Sequence, residues 1–573
     1  MSKPHFFQSR IRLFSFFIIL SALLLISRLY YLQIIHGQEF VERADRQYVR
    51  QVSNVFDRGT IFFSDKKGNP ISGATVKDGF IVAINPPKVA SSGKEVCEKL
   101  KPILETLDCA DVIEKVAKKK DPYEELARQV DSEKGSAIKA LKISGLTLYK
   151  DRWRIYPGGD LASHVLGFLG YRGDDFGGRY GLESQYEDTL KREDENVYVN
   201  FFAEIFSNIS DTVIKGESLK GDIVTTIEPT TQDYLQKALQ TVQQKWGSES
   251  TGGIIINPKT GEIYAMALRP SFDPNNFRIE NDVKVFSNDV VENVREMGSI
   301  IKPLTMATAI DLGLANAQTT YDDKGSVTLN NRTIYNFDNK GRGVITMQQA
   351  MGKSLNTGFV FLSQKIGHDN FRKYFTNFGL GEKTGIDLPN EATGLISNLN
   401  VSRDLEYATA SFGQGIAVTP LETVRALSAL ANGGTLVTPH VVKQLNYKIG
   451  IPKKLNFIEG KRVIKAETSK AITDILVEDF DTYFQDGKAK NPRYRIAEKT
   501  GTAQIALPGG GGYYEDRDLH SFFGYLPASD PQFLVFLYTV YPKGARYSSE
   551  SLGPTFVDLT KFLINYYEVV PDR

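Results

Sequence analysis

The longest apolar run in the chain lies at its start. Leu13–Ser27 holds no charge, and beyond Arg28 the run resumes to Ile35, giving 23 residues with one arginine. That length spans a hydrocarbon layer of about 30 Å, with Arg28 snorkelling to the interface. Lys3, Arg10 and Arg12 precede it, so residues 1–12 read as a cytoplasmic tail, 13–35 as a single membrane anchor, and the rest as lying outside. A cleaved signal peptide is the rival, but the run is long and bulky and no small-x-small site follows it closely. No later stretch approaches the roughly 18 apolar residues of a second span.

After the anchor the pattern becomes that of a folded body. Residues 38–60 are charged and predict a helical stalk entering a first strand, and Asp57–Ile71 reads as strand, Lys67-Gly68-Asn69 turn, strand. Lys94–Leu107 and Asp121–Gln129 read as charged helices, and 154–190 as glycine-rich loops and short strands. A composition shift near 216–222 divides a pedestal over 36–218 from a second domain over 219–573. There Asp222–Ile227 alternates like a strand, and Thr230–Trp246 is an amphipathic helix with Thr230 as candidate cap. Gly253–Ile256 and Glu262–Leu268 are apolar strands around the turn Asn257–Gly261. A helical middle covers about 299–380 and 405–432. Tyr494–Ala506, His520–Leu526 and Gln532–Tyr541 read as strands, and Val557–Tyr567 as a closing helix. Strands, helices, then strands again imply an α+β fold: an antiparallel sheet of sequence-distant strands, with helices on its faces. Gly509–Gly512 reads as a mobile loop.

Composition narrows the chemistry. The 573 residues carry 69 Lys+Arg against 68 Asp+Glu, a net charge of +1, so no basic field points to nucleic acid. None of the six histidines is spaced like a zinc motif, and Cys97 and Cys109 lack the pairs of pairs that structural zinc needs. The two cysteines form one local disulfide or remain two thiols; the sequence leaves both open.

A serine hydrolase or acyl transferase would find few histidines here, and no G-x-S-x-G elbow occurs. Lysine replaces histidine as base when burial or a neighbouring cation destabilises its ammonium. Serine three residues before lysine on one helix puts both on one face. Ser299–Lys302 has that spacing, and so do Ser64–Lys67, Ser91–Lys94 and Ser136–Lys139. Ser64 and Ser91 sit in polar, turn-like segments and Ser136 in a charged surface helix. Ser299 follows Gly298 and opens the apolar segment IIKPLTMATAIDLGL, where Pro303 is tolerated in a first turn. Alone, this motif reads first as a helix cap. Ser354-Leu355-Asn356 adds a hydroxyl able to relay a proton and an amide able to hold a carbonyl. Lys499-Thr500-Gly501-Thr502 lies on a strand, where the glycine permits close backbone approach and Lys499 brings a positive charge. Lys-Thr-Gly recurs at 259–261 and 383–385, but in a hairpin turn and a loop.

In order, Ser299-x-x-Lys302, Ser354-x-Asn356 and Lys499-Thr-Gly-Thr502 resemble the motif set of the penicillin-binding protein and serine β-lactamase superfamily. Gly252–Phe277, Thr384–Pro389 and Phe412–Pro420 are similar to signatures of its transpeptidase domain. RLYYLQIIHG at the anchor's end, Arg58-Gly59-Thr60-Ile61 and Arg154–Glu183 resemble the pedestal, or dimerisation-type domain, of class B penicillin-binding proteins. The glycosyltransferase motif of class A is absent. Two departures lie outside the catalytic motifs: Ser64–Asn69 stands where Asp-Arg-Asn-Gly is frequent, and Glu228 where aspartate is common. KTGTAQ followed by SFFGYLPASDP is closer to the cell-division (septal) branch than to the elongation branch.

The resemblance implies a D,D-transpeptidase that cross-links peptidoglycan stem peptides, with D,D-carboxypeptidase side activity. Ser299 would be the nucleophile, Lys302 the base, Ser354 and Asn356 the rest of the proton network, and Lys499, Thr500, Gly501 and Thr502 the binding strand for the terminal carboxylate. It implies β-lactams as ligands, no cofactor and no metal, and partners in a polytopic glycan polymerase and the division machinery. An elongation-type enzyme, a β-lactamase and a non-catalytic division scaffold are the alternatives. A β-lactamase would have no use for the pedestal, and a scaffold none for three intact motifs.

Overall fold

A mostly apolar stretch, Phe533–Val540, has every residue buried, the mark of a strand covered on both faces. It lies at the middle of a five-stranded antiparallel sheet. The strands are β1 (Ser250–Ile256), β2 (Ile263–Arg269), β3 (Ala497–Ala506), β4 (Tyr513–Leu526) and β5 (Phe533–Val540), in the order β2-β1-β5-β4-β3. The computed structural model describes residues 56–192, 220–448, 451–457, 460–507, 509 and 511–573, with isolated positions between Leu20 and Arg28. The anchor expected over 13–35 lies mostly outside the described residues, as does the expected stalk as far as residue 55. Among the described residues no helix is long and apolar enough to cross a membrane.

The chain forms two compact units, one built on 76–153 and the other on 58–75, 154–192 and the described part of 203–573. In the larger unit the central sheet is covered on both faces, as expected. On one side pack α1 (Pro229–Trp246), through Leu235, Leu239 and Val242, and the C-terminal helix Gly553–Tyr567, through Phe556, Leu559 and Leu563. The cap of α1 is Glu228 rather than the expected Thr230: its carboxylate accepts Thr231 N–H at 2.7 Å. On the other side lie α2 (Lys302–Asp311), α3 (Asn356–Ile366), α4 (Pro420–Ala431) and α5 (Ala466–Glu478). α4 is buried at every position except Arg425, and a Thr419–Glu422 capping box starts it.

The helical middle expected over 299–380 is interrupted. Thr320–Asp323 pairs with Gly343–Thr346, and Ser326–Leu329 with Arg332–Tyr335. The inner hairpin turns at Asn330-Asn331, both with positive φ (47° and 61°), a conformation asparagine accepts more readily than most residues.

Two motif segments quoted above meet in the larger unit. The Arg58 Nε and Arg154 Nε atoms each lie 2.6 Å from a different oxygen of the fully buried Glu183, and Tyr156 O–H donates to it at 3.1 Å. Desolvation of such a carboxylate is offset by two guanidinium donors. Beside this network Ile61–Ser64 pairs in parallel with Gly221–Thr225.

The smaller unit has its own core of Val82, Ile84, Val96, Leu100, Val112, Val116, Leu126 and Ile138. Phe80–Ile84 pairs antiparallel with Glu124–Val130, so Asp121–Gln129 is not the expected helix but leads into a strand with Leu126 and Val130 turned inward. Of Lys94–Leu107, only the part up to Leu100 is α-helical, in the helix Gly93–Leu100. Cys97 and Cys109 are joined in a disulfide.

Candidate active site

The turn that carries Ser299 is held by close backbone packing. Gly298–Ile301 is a 3₁₀ turn running into α2, and Gly298 has φ +65°. A Cβ at Gly298 would stand 2.9 Å from the Thr502 carbonyl oxygen. Gly298 N–H donates to the Gly413 carbonyl at 3.0 Å, and a Cβ on Gly413 would fall 2.1 Å from the Gly298 oxygen. Phe412–Pro420 thus backs the turn from one side and β3 from the other. Gly501 is the contact point on β3: a Cβ there would lie 2.3 Å from Ser521 Oγ and 3.0 Å from Ile300 Cγ2. Only glycine lets the strand approach this closely.

Ser299 is half-buried and opens on a cavity of about 340 Å³ that Ser354, Asn356, Lys499, Thr500 and Thr502 also line. Ser299 is not the cap of α2, which begins at Lys302 with no side-chain cap bond. Lys302 is fully buried. Its Nζ donates to the Ser354 carbonyl at 2.6 Å and the Ser354 hydroxyl at 3.2 Å, with the Phe359 ring centroid 5.4 Å away. Burial first, and then the charge of Lys499, push the Lys302 ammonium well below the usual lysine range, against a smaller opposing pull from Asp479. Ser354 has φ +51°, a strained conformation for serine, fixed by Ser354 N–H donating to Met351 O and Leu355 N–H to Ala350 O. Asn356 starts α3 and donates through Nδ2 to the Tyr335 carbonyl at 2.9 Å.

Lys499 is buried as well, and its Nζ lies 3.5 Å from Asp479 Oδ2. Three elements distant in sequence (the Ser299 turn, the Ser354 loop and β3) therefore bring all eight motif residues to one cavity or its wall. The other Ser-x-x-Lys and Lys-Thr-Gly matches do not line it. Sequence reasoning missed Phe337, Gly352, Lys353, Asp479, Tyr483, Phe484, Gln485, Glu498 and the Tyr547–Ser549 segment, which complete the lining. Asp479–Tyr483 is a π-helical turn at the end of α5, a form frequent at functional sites. Glu498 alone had a local signal, an acid next to the motif lysine.

A buried lysine whose ammonium is destabilised, bonded to one serine and sharing a cleft with another, suits acyl-transfer chemistry. Residues 251–561 match the penicillin-binding protein transpeptidase domain, and 54–226 the penicillin-binding protein dimerisation domain. The chain is 32% identical to stage V sporulation protein D of Bacillus subtilis, over 91% of this chain and 80% of that protein. It is 28% identical to a probable peptidoglycan D,D-transpeptidase, PbpC, of Pseudomonas aeruginosa, over 97% and 94%. Among solved structures it shares its fold with penicillin-binding protein 2X of Streptococcus thermophilus (TM-score 0.73, 20% identity, covering 90% of this chain and 81% of that one). Penicillin-binding protein 3 of Mycobacterium tuberculosis, solved with aztreonam, gives a TM-score of 0.68 at 22% identity, covering 91% and 98%. A transpeptidase domain, a dimerisation domain before it and relatives named as peptidoglycan D,D-transpeptidases agree on one conclusion: the chain belongs to the class B penicillin-binding proteins and is a peptidoglycan D,D-transpeptidase.

Proposed function

We propose that Ser299 is the nucleophile of this transpeptidase and Lys302 its general base. One observation carries the assignment: the Lys302 amine is fully buried, next to a second cation, and donates two hydrogen bonds to Ser354. A neutral amine has two N–H groups and one lone pair. With both N–H groups spent on Ser354, the lone pair is left for the Ser299 proton. Ser299 Oγ attacks the carbonyl of the penultimate D-Ala, an ester bond forms, and the C–N bond breaks. The terminal D-Ala leaves with the proton, relayed through Lys302 and the Ser354 hydroxyl. The backbone N–H groups of Ser299 and Thr502 serve as oxyanion donors, Asn356 holds the donor peptide's amide, and Lys499, Thr500 and Thr502 hold the terminal carboxylate. An acceptor amine from a neighbouring strand then takes the acyl group.

In this reading, β-lactams acylate the same serine. We read its role as septal, from KTGTAQ followed by SFFGYLPASDP and in keeping with a relative named for sporulation, and place it in contact with a polytopic glycan polymerase. Residues 13–35 anchor the protein, with 1–12 in the cytoplasm and the catalytic unit outside the cytoplasmic membrane. The pedestal extends over 36–218 and the transpeptidase domain over 219–573. Labelling with a fluorescent penicillin tests the chemistry. Stable stoichiometric label on Ser299 is expected; rapid turnover would make the protein a β-lactamase, and no label a scaffold.

A further inference from the structure

Glu498 and Asp479 are two buried carboxyl groups that the mechanism above does not use. They are 1% and 2% exposed and line the same cavity as Ser299. Lys499, 2% exposed, is the residue next to Glu498 on β3, and its Nζ is 3.5 Å from Asp479 Oδ2. Neither Asp479 Oδ2 nor Glu498 Oε2 has a hydrogen-bond partner. A buried carboxylate is ordinarily paired or hydrogen-bonded throughout. Here one cation, Lys499, serves two acids.

We propose that Glu498 is a positioning residue for acylation: as a neutral acid it makes with Asp479 a pair that carries one proton and one negative charge, balances Lys499, and loses its function when Glu498 ionises. This rests on the assignment of Ser299, Lys302 and Lys499 made above. With Lys302 unprotonated and Glu498 protonated, the four buried groups sum to zero charge, and the cleft accepts an anionic substrate carboxylate without opposition. A second negative charge would change both functions of the site. It would cancel the pull of Lys499 on the substrate, and it would hold a proton on Lys302, because Asp479 already favours the charged form of that lysine.

The surroundings leave Glu498 few other influences. Burial foremost and then the charge of Asp479 hold it well above the usual carboxylate range, against a smaller opposing pull from Lys499, and among the described residues no other charge acts on it as strongly. Burial pushes Asp479 up to about 6, against the pull of Lys499 and Lys302. The π-helical turn also brings Tyr483, whose phenol feels Asp479. From α5, Asp474 is engaged by Lys470 and Arg495. From the Ser548–Ser551 helix, Glu550 acts on His520. Strand β4 places Gly524 opposite Glu498.

The test is the second-order rate constant for acylation of the detergent-solubilised full chain by a fluorescent penicillin, from pH 6 to 10. In Glu498→Gln the alkaline limb should move up by about one pH unit, up to about tenfold in rate at a fixed pH on that limb. Asp479→Asn should move the same limb in the same direction and also shift the acid limb down, because Lys302 no longer feels that charge. The double variant should move the alkaline limb no further. A limb in Glu498→Gln that coincides with the wild type, whatever the absolute rate, overturns the proposal; should that variant not fold, an unmoved limb in Asp479→Asn overturns it equally. Ser299→Ala is the parallel control. Label retained there overturns the nucleophile assignment, whereas an inert Ser299→Ala with an unmoved Glu498→Gln limb overturns the acid pair alone.

Discussion

The larger and smaller units each contain a helical Ser-x-x-Lys, and only one of them has its lysine buried. In the smaller unit, Ser136 and Lys139 lie on the helix Ser132–Ala140; both are exposed, and the Ser136 hydroxyl donates to the Ser132 carbonyl at 2.8 Å. In the larger unit the same spacing puts Lys302 in complete burial with Ser354 and Lys499 around it. A lysine in water keeps its proton to about pH 10 and cannot act as a base at neutral pH. What separates the two motifs is desolvation, not geometry along the helix.

Substitutions at matched positions should break that symmetry. The largest difference is expected for Ser299→Ala against Ser136→Ala. The first abolishes penicillin labelling with a nearly unchanged melting temperature, and the second alters neither. Label persisting on Ser299→Ala would sink the contrast. Next, Lys302→Arg keeps a cation that cannot deprotonate, so acylation should fall by about 10²- to 10⁴-fold, while Lys139→Arg stays at the wild-type rate. Rapid-mixing kinetics with a chromogenic cephalosporin measures both.

Stability should separate the units in the opposite sense. Replacing Cys97 and Cys109 together by alanine removes a cross-link closing a short loop, and should cost the smaller unit about 2–4 kcal/mol. Labelling should be unaffected, so melting followed beside labelling stoichiometry resolves the two. The smallest effect is a pH dependence of stability in the cleft. The carboxyl of Glu498 is raised by folding, so from its ordinary value near 4.5 upward the unfolded chain releases a proton that the folded chain keeps. Its contribution is therefore complete below that value and declines as pH rises toward the folded value. Glu498→Gln should gain melting temperature over the wild type at pH 8 and little at pH 5. An equal difference at both values would mean that Glu498 is ionised in the folded protein.

Local pattern was sufficient where the stabilising contacts are local or the burial is complete. Asp57–Ile71 turns at Lys67–Asn69 as expected, with the Asp65 carboxylate accepting the N–H groups of Lys67 and Asn69. The runs that became β1, β2, β4 and β5 are apolar enough to be recognised as buried strands. Glu124–Val130 was misleading because its polar residues fit a helix, and pairing with Phe80–Ile84 overrode that preference. The strands between 320 and 346 did carry a signal, the Asn330-Asn331 turn, which an apolar periodicity count does not weigh.

The sequence by itself determined the order of the three motifs, the antiparallel sheet and the candidate nucleophile, because motif spacing and strand alternation are properties of neighbouring residues. It could not determine that burial and Lys499 destabilise the Lys302 ammonium, that Ser354 accepts both of its hydrogen bonds, or that Asp479, 20 positions before Lys499, is paired with it. Those follow from burial and Coulomb interaction, which depend on distance in space. Only the folded chain, in which β3 lies against the Ser299 turn through Gly298 and Gly501, sets those distances.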